Sequence, residues 1–258
     1  MLMMPFVKTT VCCMALASFA MADDDSAITV IAADGPEAAA AAIMQRLVEK
    51  SCESIEEQAK NGDADACLML GNLVATGEYL PEDEVLACRC LRMAAEAGNA
   101  VAIFEMGRFA IFGFGMEESP TEAIMWFRKA AEGGNDEAWR ILGTIHYNGM
   151  GIAADKKVAV EYWQKAVDAG NAAACNDLAQ CYFMGDEVEK DCAKAVELWR
   201  KGAEGGDAAS QFNLAVCYLK GESVKEDPIE AQRWLEAAAA QGHQNSCRAL
   251  RYLQEQQK

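Results

Sequence analysis

Histidine is almost missing from this chain: His146 and His243 are the only two in 258 residues. Two distant histidines leave no clustered ligand set for a catalytic zinc. No serine is followed three residues on by lysine, the spacing that sets a base beside a serine nucleophile. Ser223-Val224-Lys225 comes nearest and puts the lysine too early. Gly113-Phe114-Gly115 and Gly149-Met150-Gly151 resemble phosphate loops but lack a preceding strand and the Lys-Ser/Thr pair. Basic residues are scarce as well, 23 against 40 acidic ones, for a net charge of −17. That balance argues against nucleic acid and anionic membrane surfaces as partners. No metal, cofactor or catalytic residue is expected.

Long apolar runs are equally scarce. The stretch from Val11 to Phe19 is too short to span a bilayer comfortably. It follows Lys8 and precedes Ala20-Met21-Ala22 and then Asp23-Asp24-Asp25, the pattern of a secretory signal peptide cut after Ala22. Residues 1–22 are therefore read as a signal peptide, and the mature chain is expected to be periplasmic or secreted. Removing Lys8 leaves 22 basic residues against 40 acidic, a charge of −18. Removing Cys12 and Cys13 leaves nine of the 11 cysteines, an odd number, so one thiol must lack a partner within the chain. In an oxidising compartment the others are disulfide candidates.

What is present is a ruler. Gly62, Gly98, Gly134, Gly170, Gly206 and Gly242 stand 36 residues apart without interruption. Each precedes Asn, Asp or His, and a small residue recurs four positions on, from Ala66 to Ser246. Self-similarity this strict marks a stacked repeat array. Such arrays present extended faces that bind other macromolecules.

Positions counted from the ruler glycine resolve each unit into two helices. Leu70, Met106, Leu142, Leu178 and Leu214 recur at the eighth position, followed at the ninth by Gly or Ala. With the fifth and twelfth positions they make one helical face. Gly77, Gly113, Gly149, Gly185 and Gly221 fall where this first helix should end. Asp83, Ser119, Asp155, Asp191 and Asp227 then serve as N-caps for a second helix, with Pro120 and Pro228 at its first position. Ala159, Tyr162, Trp163, Ala166 and Val167 show its apolar spacing, and the tryptophans are expected in the core. His146 occupies the position of Tyr182 and Tyr218 and is expected to be a core substitute.

The expected organisation is a signal peptide, a flexible segment at 23–36 and an N-terminal capping helix at 37–62. Five repeats follow at 63–98, 99–134, 135–170, 171–206 and 207–242, then a C-terminal capping helix at 243–258.

The unit reads Ala-x-x-x-Leu-Gly…Tyr-x-x-Gly…Asp-x-x-x-Ala…Trp-x-x-Lys-Ala-Ala-x-x-Gly-Asn, clearest between Ala138 and Asn171. It closely resembles the Sel-1-like repeat, a relative of the tetratricopeptide repeat, from about Asp63 to Lys258. The resemblance implies an all-α fold, a right-handed α-solenoid of helix-turn-helix repeats used as a scaffold for protein complexes. A protein or peptide partner and a monomeric chain are the corresponding expectations. The family's cysteine-rich secreted branch has been linked to β-lactam binding or hydrolysis, which stands as the alternative function. Its bridging position is here Ala59, Ala95, Ala131, Val167, Ala203 or Ala239, so its disulfide scheme does not carry over.

Carrying over the tetratricopeptide groove puts the partner face on the first helices. The sixth position supplies Phe104, Arg140, Asn176, Phe212 and Arg248; the tenth supplies Arg108, Thr144 and Gln180; the thirteenth supplies Tyr147 and Phe183. Arg140 and Arg248 are expected to be exposed charges whose reversal leaves folding intact. Facing positions in a helical hairpin have a constant sum, which pairs Cys67 with Cys90, Cys88 being the second candidate, and Cys181 with Cys192 as disulfide candidates.

Overall fold

The structure is a computed structural model and describes residues 53–76 and 83–256. The expected signal peptide, the segment 23–36 and most of the N-terminal capping helix lie outside the described residues. Among the described residues there are twelve helices and no strand. Helix α1 covers residues 53–60. Eleven helices of 13 residues each follow: α2 (Ala64–Thr76), α3 (Glu84–Glu96), α4 (Ala100–Phe112), α5 (Pro120–Glu132), α6 (Asp136–Asn148) and α7 (Lys156–Asp168). The last five are α8 (Ala172–Met184), α9 (Cys192–Glu204), α10 (Ala208–Lys220), α11 (Pro228–Ala240) and α12 (Gln244–Gln256).

Local chemistry explains both ends of each helix. Asp83, Ser119, Asp155, Asp191 and Asp227 accept hydrogen bonds from backbone N–H groups at the start of the second helices. Gly113, Gly149, Gly185 and Gly221 close the first helices in the left-handed conformation. The ruler glycines have their own reason. Gly62, Gly98, Gly134, Gly170, Gly206 and Gly242 all have φ between 82° and 97°. A Cβ there would meet nothing within 4 Å, so the requirement is backbone conformation and not space. The next residue then caps the following helix: Asn99, Asn135, Asn171 and Asp207 each accept an N–H three residues on. One Gly-Asn or Gly-Asp pair thus ends one helix and begins the next.

The described residues divide into two compact units, split between Glu118 and Ser119. In the first, α2 and α3 form a hairpin and α4 packs on α3. Leu70, Val74, Ala87, Leu91 and Ala94 fill that hairpin. In the second, the hairpins α6–α7, α8–α9 and α10–α11 follow one another, with α5 against α6 and α12 against α11. The first helices α8 and α10 also touch each other directly.

The tryptophans divide. Trp163 and Trp199 are core residues, 5% and 3% exposed. Trp126, Trp139 and Trp234 are only half-buried, because their position or spacing puts them at the rim of a hairpin. Trp163 lies on Gly143, where a Cβ would come 2.5 Å from the indole. Its Nε1 donates to the Arg140 carbonyl at 3.1 Å, which satisfies the ring's polar edge.

Candidate protein-binding face

The first helices of the second unit carry most of the expected face. Arg140, Asn176, Phe212 and Arg248 sit on α6, α8, α10 and α12 at the same register. The Asn213 amide donates to Asn176 Oδ1 at 2.8 Å, and Trp199 Nε1 donates to the same oxygen at 3.2 Å. Arg140 Nη1 meets Asp177 Oδ2 at 3.3 Å. Both links join the sixth position of one repeat to the seventh of the next, so neighbouring first helices are hydrogen-bonded side chain to side chain.

Arg140 is therefore not the exposed charge expected from the sequence. Its side chain is 27% exposed, and its guanidinium is shared between Asp177 and Glu137, with Nε to Glu137 Oε2 at 2.9 Å. The hydrogen bonds it donates to Glu137 hold it more firmly protonated than usual, against the opposing effect of burial. Burial raises the Asp177 carboxyl above its ordinary range, and Arg140 pulls it back down. Arg248, by contrast, is exposed.

Tyr147 and Phe183, at the thirteenth position, pack on the core tryptophans. Their rings lie 5.1 Å from Trp163 and 5.3 Å from Trp199. The Tyr147 hydroxyl donates to Asp186 Oδ2 at 2.7 Å, and Lys156 Nζ donates to the same atom at 2.9 Å. These two donors hold the Asp186 carboxyl below its ordinary range. Thr144 is half-buried and donates to the Arg140 carbonyl at 3.1 Å. Phe212 packs on His243 at 5.1 Å. Gln180 is exposed, as is its neighbour Met184, and Phe183 beside them is half-buried. Gln180 and Arg248 are thus exposed positions of the expected face, with Met184 exposed beside Gln180.

Phe104 and Arg108 belong to the first unit, both half-buried on α4. Arg108 Nη1 pairs with the nearly buried Glu105 at 3.2 Å. Sequence reasoning missed Asp177, Asn213, Asp186 and Lys156. A signal was available: Arg140–Asp177 and Asn176–Asn213 are each 37 residues apart, one period plus one.

The eight described cysteines are free thiols, including Cys67, Cys90, Cys181 and Cys192. Burial raises Cys90, and a negative charge on Cys67 adds to the shift, so these two sit within electrostatic reach. For Cys217, pushed up to about 11 mainly by burial, the interacting thiol is Cys192 of the preceding hairpin. Cys181 is likewise pushed up to about 11 by burial, with Asp186 and Asp177 as the charges that add to it. Among the described residues no group of three or more His, Cys, Asp or Glu side chains is placed to hold a metal, and no helix is long and apolar enough to cross a membrane.

Helical hairpins repeated in register, each packed on the next, define an α-solenoid, a class that works through faces and not through a catalytic pocket. The Sel1 repeat matches residues 64–99, 100–135, 140–171, 172–207 and 208–243, and the chain belongs to the Sel1 repeat family. Among solved structures, a protective antigen of uropathogenic Escherichia coli with an SLR fold is 29% identical, with a TM-score of 0.69 over 76% of this chain. The match takes in 42% of that antigen, so this chain spans less than half its length. A Sel1 repeat protein from Oxalobacter formigenes is 28% identical, with a TM-score of 0.66 over 77% of this chain and 86% of the other. No curated protein matches the chain. The Sel1 repeat is a protein-interaction scaffold fold and is generally non-catalytic.

Proposed function

We propose that the chain is a non-catalytic adaptor that binds a protein or peptide along the first-helix face of residues 119–258. The observation that carries this reading is the side-chain ladder between successive first helices. Asn176 with Asn213 and Arg140 with Asp177 hold neighbouring helices in one register. A partner then meets a preorganised row, with Gln180, Met184 and Arg248 exposed and Phe183 half-buried. The signal-peptide pattern of residues 1–22 supports action outside the cytoplasm, in the periplasm or beyond.

Two measurements test this. In affinity capture from the native compartment, Gln180→Ala with Phe183→Ala should lose the partner, and Glu161→Ala with Glu197→Ala on the second helices should keep it. The reverse pattern moves the function to the other side. Cell fractionation of the full chain, with and without residues 1–22, tests export. A β-lactam hydrolysis assay against boiled protein should give no turnover; hydrolysis above that background replaces the adaptor reading.

A further inference from the structure

Four cations on the second helices of the second unit are held by aromatic groups, although Lys156 and Arg233 on the same helices pair with carboxylates. Arg128 on α5 and Arg200 on α9 are both exposed. Each stands within helical reach of carboxylates: Glu132 follows Arg128 by one turn, and Glu197 and Glu204 flank Arg200. Such pairs commonly form. Neither arginine makes an ion pair with any described carboxylate. Arg128 Nη2 instead donates to the Tyr162 hydroxyl at 3.2 Å, and Arg200 Nη2 donates to the Tyr218 hydroxyl at 3.3 Å.

Two lysines behave alike. Lys194 Nζ donates to the Tyr182 hydroxyl at 2.7 Å and lies 4.1 Å over that ring. Lys165 Nζ stands 4.8 Å over Trp139 and 5.4 Å over Tyr162. A neutral phenol or ring orients a cation without cancelling its charge. An arginine fork has five donors, and a phenol takes up one of them. The remaining donors keep the geometry that suits a carboxylate.

Register turns these contacts into a row. Arg128 and Arg200 occupy the same position in hairpins two repeats apart, since they are separated by 72 residues. Packed neighbouring helices lie about 8–10 Å apart, so the two forks stand about 16–20 Å apart. An extended chain advances about 3.3 Å per residue, so five or six residues cover that distance. Helices α7 and α9 each carry three basic against two acidic residues, in a chain with a net charge of −17.

We propose that Arg128, Lys165, Lys194 and Arg200 form a docking strip for an extended acidic peptide segment, with carboxylates five or six residues apart meeting Arg128 and Arg200. This strip is separate from the first-helix face and goes beyond the adaptor function proposed for it. The peptide lies across the second helices; Lys165 on α7 neutralises an acid between its two anchors, and Lys194, six residues before Arg200 on α9, flanks the strip.

The test uses the full chain and two fluorescent peptides of about twelve residues with equal charge, one with its glutamates six apart and one with them adjacent. Binding is read by anisotropy. The spaced peptide should bind about tenfold tighter than the adjacent one. Arg128→Ala with Arg200→Ala should remove that preference, and Lys157→Ala, exposed on α7 outside the row, should not. Tyr162→Phe with Tyr218→Phe keeps every charge but releases the forks, and should weaken the spaced peptide severalfold; a purely electrostatic patch would not respond. Thermal melts confirm that each variant is folded. Equal affinity for the two peptides overturns the proposal, as does unchanged binding by the double arginine variant. So does binding only to phosphatidylcholine vesicles with about 30% phosphatidylglycerol, which would make the strip a membrane contact. None of these variants touches Gln180 or Phe183, so the outcome is independent of the first-helix reading.

Discussion

The hairpin α2–α3 of the first unit and the hairpin α6–α7 of the second use one backbone plan with different plugs. In the first, Leu91 packs on Gly71, where a Cβ would stand 3.0 Å from Leu91 Cγ. In the second, the indole of Trp163 packs on Gly143 and leaves only 2.5 Å for a Cβ. The tryptophan also bonds across to the Arg140 carbonyl at 3.1 Å, a link that leucine cannot make. The repeat therefore tolerates a change of plug at constant helix length, provided the opposite position stays small. The units differ in charge as well. Residues 1–118 have 7 basic and 19 acidic residues, a net −12, and residues 119–258 have 16 and 21, a net −5. The cation–ring contacts that make the proposed strip lie in the less acidic unit.

The plugs give the largest expected effect. Trp163→Ala should cost about 3–5 kcal/mol through the cavity and the lost indole bond. Leu91→Ala should cost less, about 2–3 kcal/mol, because a smaller void opens. Denaturant unfolding of the two variants checks the order, and a reversed order removes the claim that the ring plug dominates.

Next comes the charge on each face. Arg140→Glu should destabilise by about 1–3 kcal/mol, since it sets a third carboxylate beside Glu137 and Asp177 in a partly buried place. Arg248→Glu, on an exposed side chain, should shift stability by less than about 0.5 kcal/mol. Similar melting temperatures for the two variants would mean that the Arg140 network contributes nothing.

The glycine pair sharpens the comparison further. Gly143→Ala should cost about 1–2 kcal/mol, overpacking against an indole that cannot withdraw, partly offset by better helix propensity. Gly71→Ala should be close to neutral, because the Leu91 branch can yield and the propensity gain is about 1 kcal/mol.

The smallest effect is a slope with pH. Among the described residues the ring nitrogens of His146 are buried without a hydrogen-bond partner, and the ring lies 5.4 Å from Tyr162. Burial holds this imidazole below its ordinary value of 6.5; Arg128 pushes it down further and Asp155 opposes. Tyr162 and Lys165 are the other titratable groups that meet at this aromatic cluster. The unfolded chain therefore takes up the proton more readily than the folded one. Stability is complete above pH 6.5 and falls as the pH drops through that value toward the depressed folded one. His146→Tyr, which restores the residue found at Tyr182 and Tyr218, should flatten stability as the pH falls below 6.5. An unchanged slope would place the pH response elsewhere.

Much of this molecule is legible along the chain. The ruler glycines, the caps from Asp83 to Asp227 and the closing glycines each act within four residues, so the twelve helices and their hairpins follow from local spacing. The candidate face was legible as a set of positions and not as a set of contacts. Tyr147 and Phe183 were found by register, and their packing on Trp163 and Trp199 was not. The half-buried Trp126 and Trp234 stand one helical position before the register of Trp163, a difference in depth that pattern alone does not resolve.

Sequence by itself determined the period, the helix ends and the small-against-large packing inside each hairpin, because those depend on backbone conformation and on neighbours a few residues away. Tertiary structure alone decided which charges are spent and which are free. Arg140 is tied to Asp177 across 37 residues, and Arg200 turns from adjacent carboxylates to the Tyr218 hydroxyl on the next hairpin. A side chain with several partners in reach chooses by three-dimensional distance and desolvation, and neither quantity is written in the order of residues.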